Sequence, residues 1–268
     1  MHHRSPRLII PAAFAALYLG FASQATAALK TEAVAYQAGA VQAKGLLVYD
    51  DATSAKRPGV LVVPEWWGLN DYAIRRARML AGLGYVALAV DMYGGGRHTD
   101  DAKQAEQWSH ALESGDRSEL HARIAAALGA LRRDPRVDAA RTAAIGYCFG
   151  GLTVLELARS GAGLAGVVSF HGPLGTPDPA RPGAVRARVL VCTGADDPYV
   201  PPAAVEAFED EMRKAGANFE INIYSGARHS FTNPAADRWR SPDLGYNPQA
   251  DRRSWQAMRD FFAEIFRR

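Results

Sequence analysis

The chain has 268 residues, of which 48% are hydrophobic and 22% charged, and its formal net charge is +3 at pH 7. This length suits one domain with a single hydrophobic core. The weak net charge gives no support for binding to nucleic acid or to an anionic membrane. The sequence contains no nucleotide-binding glycine motif and no His, Cys and carboxylate set at metal-ligand spacing, so we expect no cofactor and no metal.

The first 27 residues have the composition of a secretory signal peptide. Arg4 and Arg7 precede an apolar run, and Ala25–Ala27 forms an A-x-A cleavage site. The run is short for a membrane span and is interrupted by proline and glycine, although an uncleaved membrane anchor is the alternative. We therefore predict a signal peptide at 1–27 and a mature domain at 28–268. The mature protein would be periplasmic or secreted, without stable membrane association.

Along the rest of the chain, apolar runs typical of strands alternate with amphipathic segments typical of helices. The predicted strands are 31–36, 44–49, 59–63, 85–90, 142–146, 166–170, 188–193 and 218–224. The predicted helices are 71–83, 101–112, 117–132, 150–160, 202–215 and 249–266. This alternation indicates an α/β protein with one mostly parallel, twisted sheet and helices on both faces. Pockets in such proteins open at the carboxyl ends of the strands.

The segment Gly146–Gly151 lies between a predicted strand and a predicted helix. Its sequence, GYCFGG, has the G-x-nucleophile-x-G pattern of the nucleophile elbow in α/β-hydrolases, with cysteine in place of serine. Side chains at Gly146 or Gly150 would collide with the neighbouring strand and helix. The turn would lift Cys148 clear of the sheet and aim the amide of Phe149 at a carbonyl oxygen. A structural cysteine beside an ordinary glycine turn is the alternative.

An acid and a histidine follow in the chain order that an α/β-hydrolase requires. Asp196 and Asp197 come directly after an apolar run, and His229 follows another. The histidine would take the proton of the Cys148 thiol or pair with the thiolate, and one aspartate would fix its orientation. Asp197 precedes a proline and is biased toward extended backbone, whereas Asp196 could cap the turn. Each residue alone is more common as a turn residue, but their order favours a catalytic triad.

Five segments of the chain resemble the dienelactone hydrolase family of α/β-hydrolases. They are 62–70, 84–93, 146–151, 194–201 and 228–231, within a resemblance that extends from about Gly45 to the C-terminus. It implies the α/β-hydrolase fold and hydrolysis of a small-molecule ester or lactone. It also implies Cys148 as the nucleophile, Asp197 as the acid and His229 as the base.

The same resemblance assigns a role to Glu65. In the family, a glutamate at this position contacts the resting thiol and is displaced when substrate binds. A carboxylate beside the sulfur disfavours a second negative charge and keeps the thiol protonated. The alternative is that Glu65 only caps the segment that follows it. The amide of Trp66 is expected to join that of Phe149 in binding the oxyanion.

The substrate-binding candidates are Trp67, Tyr93, Arg97 and His171. The family's carboxylate-binding arginine corresponds to Gly95 here, which argues against a dienelactone-like substrate unless Arg97 takes that role. Adjacent tryptophans suggest an apolar wall, with one of the two packed in the core. His171 would touch substrate or be a hydrogen-bonded loop histidine. The segment 234–248 would wall the pocket or form a surface loop.

We therefore predict a monomeric, secreted hydrolase of carboxylic esters or lactones. It would use Cys148, His229 and Asp197 and form a covalent acyl-enzyme. Two alternatives remain open at this point. One is a thiol redox enzyme, for which Cys192 is the only available resolving cysteine. The other is a catalytically silent binding protein on a hydrolase scaffold.

Overall fold

Eight strands form one sheet in the computed structural model, which describes residues 1–2 and 28–267. The predicted signal peptide lies outside this part of the chain except for its first two residues. The strands are β1 Leu29–Ala38, β2 Val41–Asp50, β3 Arg57–Val63, β4 Val86–Ala89, β5 Val137–Tyr147, β6 Gly166–Phe170, β7 Arg188–Gly194 and β8 Phe219–Tyr224. Their order is β1-β2-β4-β3-β5-β6-β7-β8, with β1, β2 and β4 antiparallel and the other pairs parallel. The predicted fold class is confirmed.

The central strands are buried on both faces because helices cover both. Strands β4 and β6 are buried at every position, as expected for continuous apolar runs in a parallel sheet. The register places Leu61 of β3 opposite Leu88 of β4 on one side and Ala144 of β5 on the other. Strand β1 is largely exposed and forms a hairpin with β2 at one edge of the sheet. Of the strands that precede site residues, β3, β5 and β7 lie inside the sheet, and β8 forms its other edge.

Six α-helices cover the sheet. They are α1 Asp71–Ala81, α2 Ala102–Glu113, α3 Ser118–Arg133, α4 Phe149–Arg159, α5 Pro202–Ala215 and α6 Pro248–Ile265. On one face, α1 and α6 bury Leu80 and Phe262 in a shared apolar cluster. On the other face, Leu128 of α3, Leu155 of α4 and Phe208 of α5 lie in a second cluster. Side-chain caps at α1 and α6, where Asn70 and Asn247 accept from backbone amides, fix where these helices begin.

Strand β5 begins earlier than the sequence predicts. Residues 138–141 are polar or small and carry no strand pattern, yet they extend β5 back to Val137. Pairing with Arg57 and Pro58 of β3 supplies the reason, and the register shifts there between Pro58 and Gly59. A strand segment that is held by backbone pairing alone has no pattern of apolar residues by which the sequence could reveal it. Within the described residues, no helix is both long enough and apolar enough to cross a membrane.

Candidate active site

Four strands end at the same edge of the sheet, and each is followed by a predicted site residue. Glu65 follows β3, Cys148 follows β5, Asp197 follows β7, and His229 lies in the segment after β8. Parallel strands bring their carboxyl ends together, so residues far apart in the chain meet at this edge. All but Cys148 are almost fully buried, and Cys148 is half-buried.

The turn at Cys148 requires the two glycines that flank it. Cys148 has φ 53° and ψ −117°, a backbone conformation that side-chain-bearing residues rarely adopt. A Cβ on Gly146 would lie 1.9 Å from the carbonyl oxygen of Gly150, and a Cβ on Gly150 would lie 2.3 Å from that of Val63. These contacts are with backbone, which cannot move aside. The strand and the helix therefore approach closely enough to raise the sulfur above the sheet.

The structure selects one of the two adjacent aspartates. Asp197 Oδ2 lies 2.9 Å from Nδ1 of His229, and Asp197 is 3% exposed, whereas Asp196 is exposed to solvent. The other oxygen of Asp197 accepts from the amide of Tyr199 at 2.9 Å. With both oxygens engaged, the carboxylate is held in one orientation. The contact on Nδ1 leaves Nε2 of His229 to face the nucleophile.

The pKa of His229 is raised to about 10. Burial is the largest influence and acts to lower the pKa, but a negative charge on Cys148 and the hydrogen bond that the ring donates to Asp197 outweigh it. Cys148 and His229 line the same cavity, and Cys148 acts to raise the pKa of the imidazole. The pair can form a thiolate and an imidazolium, which is the reactive state of a cysteine nucleophile.

Two backbone amides are free to bind an oxyanion. Phe149 is the first residue of α4, where helix N–H groups lack intrahelical partners, and Trp66 lies in the loop after β3. Within the described chain, neither amide donates to a protein acceptor. The helix N-terminus adds a favourable field for negative charge.

Tyr93, a substrate-binding candidate, supports these two residues from behind. Its hydroxyl donates to the carbonyl of Trp66 at 3.0 Å, and its ring stacks on Phe149 with 5.9 Å between centroids. Tyr93 is 2% exposed and does not line the cavity, so the expectation that it binds substrate directly is wrong. A position just after a strand did not reveal how deep the side chain lies.

Glu65 is bound to the histidine loop. Its two carboxylate oxygens accept from the hydroxyl of Ser230 at 2.9 Å and from the side-chain amide of Asn233 at 2.6 Å. The thiol contact that the family resemblance implies is not among its hydrogen bonds. Burial raises the pKa of Glu65, while the two hydrogen bonds act to lower it. In this arrangement both oxygens of Glu65 are engaged, and His229 is the residue available to accept the proton of Cys148.

The catalytic edge opens into a cavity of about 630 Å³ that contains Cys148 and His229. Its other lining residues are Trp66, Trp67, Ala102, Glu106, Ser109, His110, Glu113, Pro173, Tyr199, Ser230, Trp239, Ser241 and Leu244. The segment 234–248 therefore walls the pocket, one of the two expectations for it. Trp239, from a short 3-10 helix at Ala236–Trp239, stacks on Trp67 with centroids 4.6 Å apart.

Arg97 and His171 are not among the residues that line the cavity, and His171 is the hydrogen-bonded histidine that was one of the two expectations for it. The guanidinium of Arg97 donates to the carbonyls of Tyr93 and Gly94 and lies over the ring of Trp108. His171 is fully buried, with Nε2 2.7 Å from the hydroxyl of Thr232.

His171 instead packs edge-on against the catalytic histidine, with 5.2 Å between the centroids of His171 and His229. Burial, and then the charge of His229, lowers the pKa of His171 well below its usual range, so the ring is neutral. A neutral His171 ring can pack against a protonated His229 without repelling its positive charge.

Helix α2 contributes residues that the sequence did not single out. Glu106, His110 and Glu113 lie on one stripe of this helix and face the cavity. Polar residues of a helix recur with the same spacing whether they face a cavity or bulk solvent, so the sequence pattern does not distinguish the two. Tyr199, two residues after Asp197, also lines the cavity and packs edge-on against His229 at 4.9 Å.

A parallel sheet with a cysteine at a strand–helix elbow, followed by an acid and a histidine at later strand ends, defines an α/β-hydrolase. The profile of the dienelactone hydrolase family matches residues 44–266. The chain belongs to this family, and the family resemblance inferred from the sequence is confirmed.

Solved structures similar to this chain include m3DLH, which is 47% identical, covers 89% of this chain and 99% of its own, and gives a TM-score of 0.86. The dienelactone hydrolase-like promiscuous phosphotriesterase P91 from metagenomic libraries is 43% identical, with 90% and 100% coverage and a TM-score of 0.86. A probable 2-oxo-3-(5-oxofuran-2-ylidene)propanoate lactonase of Bradyrhizobium sp. is 29% identical over 196 residues, 70% of this chain and 78% of the relative. The chain is accordingly a hydrolase of the ester or lactone type.

Proposed function

We propose that this hydrolase acts on small-molecule carboxylic esters or lactones through a triad of Cys148, His229 and Asp197. A single observation carries the proposal. The buried Asp197 carboxylate lies 2.9 Å from Nδ1 of a histidine that shares the cavity with Cys148. This arrangement fixes the histidine tautomer and directs its second nitrogen to the sulfur.

The first half of the proposed reaction acylates the enzyme. The Cys148 thiolate attacks the carbonyl carbon, so a C–S bond forms and the carbonyl oxygen becomes an oxyanion. The amides of Phe149 and Trp66 donate to that oxygen. Nε2 of His229 then gives its proton to the departing alkoxide as the C–O bond breaks, leaving a thioester on Cys148.

The second half releases the acid. His229 takes a proton from water, and the resulting hydroxide attacks the thioester carbonyl at the same oxyanion site. The C–S bond breaks, the carboxylic acid leaves, and the proton held by His229 restores the starting state of the thiol. Asp197 stays ionised throughout and stabilises the imidazolium.

The surroundings of the second cysteine disfavour a redox function. Cys192 lies in β7, is fully buried, and has its sulfur 3.7 Å from the hydroxyl of Tyr224. Burial raises the pKa of the Cys192 thiol to about 12. A resolving cysteine must be accessible and must form a thiolate. Cys192 is buried, and its raised pKa keeps the thiol protonated.

Mass spectrometry during turnover of a chromogenic ester and lactone panel tests the proposal. We expect an acyl adduct on the peptide that contains Cys148, and its loss in Cys148→Ala. The matched control is Cys192→Ala, which should form the adduct normally. Hydrolysis that continues in Cys148→Ala would refute the covalent mechanism, and no hydrolysis of any ester or lactone would favour a silent binding protein.

We further propose that the chain is exported and loses residues 1–27. The support is the basic start, apolar run and A-x-A site of the sequence. N-terminal sequencing of the protein recovered from the cell envelope or medium tests this, with Ala28 as the expected first residue. An intact N-terminus would refute cleavage.

A further inference from the structure

Two carboxylates of α2 line the cavity around Cys148, with His110 between them on the same helix. Glu106 and Glu113 contribute carboxylates, and none of the described residues that line it is lysine or arginine. Neither carboxylate forms a salt bridge within the described part of the chain. Cys148 and His229 have no net charge as a pair, whether their shared proton lies on sulfur or on nitrogen. The cavity therefore presents a negative potential to whatever enters it.

Arg117 and Arg97 donate hydrogen bonds to other groups of the protein. Arg117 is close enough to act on the pKa of Glu113, and its Nε donates to the backbone carbonyl of Glu113 at 3.1 Å. Its Nη1 donates to the Glu156 carboxylate at 2.9 Å and to the carbonyl of Gly175 at 3.1 Å, and it forms no salt bridge with the Glu113 carboxylate. Arg97 is held by backbone carbonyls. Partial burial raises the pKa of Glu113, while the nearby Arg117 and His110 act to lower it. A cation in the cavity would offset that desolvation.

Aromatic rings also line this cavity. Trp66, Trp67, Trp239 and Tyr199 line the cavity, so three of the five tryptophans in the chain lie here. Trp67 stacks on Trp239 and meets Trp66 edge-on with centroids 5.0 Å apart. Such faces attract organic cations through the ring quadrupole and bury the apolar groups that surround the charge.

We propose that the substrate is an ester or lactone that carries an organic cation, such as a quaternary or protonated amine, on an apolar body. The inference rests on the proposed ester hydrolysis and names its substrate class. The aromatic wall holds the methylene or methyl groups, and Glu106 and Glu113 complement the charge. The same carboxylates repel a substrate that carries a carboxylate.

A matched set of three butyrate esters tests the proposal. The first is butyrylcholine, the second is its uncharged carbon isostere 3,3-dimethylbutyl butyrate, and the third carries a carboxylate on a chain of equal length. We expect kcat/KM for the cation to exceed that for the isostere by about threefold or more, since one partly exposed charge pair is worth up to about 1 kcal/mol. The carboxylated ester should be the poorest substrate.

Variants locate the effect. Glu113→Gln and Glu106→Gln should each reduce the cation-to-isostere ratio by about twofold or more. The matched control is Glu206→Gln, which removes the same charge from an exposed position on α5 outside the cavity and should leave the ratio unchanged. As a measurement on the unmodified protein, tetramethylammonium should compete with the uncharged ester.

The outcomes separate this inference from the proposed function. If the isostere is hydrolysed but the ratio is one or lower, the cation preference is wrong and ester hydrolysis stands. If the ratio is high but unchanged in both glutamine variants and equal to that of Glu206→Gln, the assignment to Glu106 and Glu113 is wrong. If no ester is hydrolysed, both the function and its substrate class are overturned.

Discussion

Ser230 Oγ donates to Glu65 Oε1 at 2.9 Å, which ties the residue directly after His229 to the residue directly before Trp66. Ser230 has φ 57°, so its backbone is held in the left-handed region beside the catalytic histidine. The amide of Asn233 adds a second bond to the same carboxylate at 2.6 Å. One buried acid therefore connects the loop that carries His229 to the loop that carries Trp66.

Replacing Glu65 should damage both activity and stability. Glu65→Ala leaves the buried Ser230 hydroxyl and Asn233 amide without an acceptor, which costs about 1–3 kcal/mol for each group. We expect turnover to fall by about tenfold or more because the histidine loop loses its anchor. Urea unfolding and ester kinetics on the same preparations measure the two effects. Unchanged values of both would show that the acid has no positioning role.

Removing the nucleophile or the base should abolish catalysis while leaving the fold intact. Cys148→Ala and His229→Ala are each expected to lower kcat by about 10³-fold or more, because the triad acts as a unit. Circular dichroism checks the fold, and a chromogenic ester provides the rate. Retention of more than about a tenth of the activity by either variant would contradict acyl transfer through Cys148.

The two neighbouring aspartates form a matched pair for testing the acid. Asp197→Asn removes the charge that orients His229, whereas Asp196→Asn makes the same chemical change at an exposed position. We expect Asp197→Asn to reduce kcat/KM by about 10²-fold or more and Asp196→Asn to leave it nearly unchanged. Equal losses in both variants would point to a general effect of charge.

The pH profile should have a late alkaline limb. The pKa of His229 is raised to about 10, so its proton, which the leaving group needs, is retained until the pH approaches that value. Activity should therefore fall as the pH rises through about 10. In Asp197→Asn the stabilisation of the imidazolium is weaker, so the limb should move to lower pH. NMR titration of the His229 ring checks the assignment, and an unmoved limb would refute it.

The positions of Cys148, Asp197 and His229 at one edge of the sheet could be predicted from sequence because strand ends are recognisable and the fold brings them together. An apolar run followed by Gly146, Gly194 or a loop histidine gives both position and order. Choosing Asp197 required the family resemblance, because the backbone preference before a proline leaves both aspartates open.

Depth and direction of side chains could not be predicted. Tyr93 and His171 follow strands as the catalytic residues do, yet both point beneath the site because neighbouring aromatic rings enclose them. Arg97 follows three glycines, which place no constraint on its direction. The carboxylates of α2 could not be recognised as cavity residues, because residues that face a cavity and residues that face solvent recur with the same helical period.

The stacking of Trp239 on Trp67 has a consequence for how this scaffold can diversify. Trp239, Ser241 and Leu244 come from a stretch between His229 and α6 that supplies no member of the triad. Its length and composition can change while the bond-breaking groups keep their places on the sheet. Grafting this stretch from a relative would therefore retarget the enzyme to new compounds without rebuilding its chemistry.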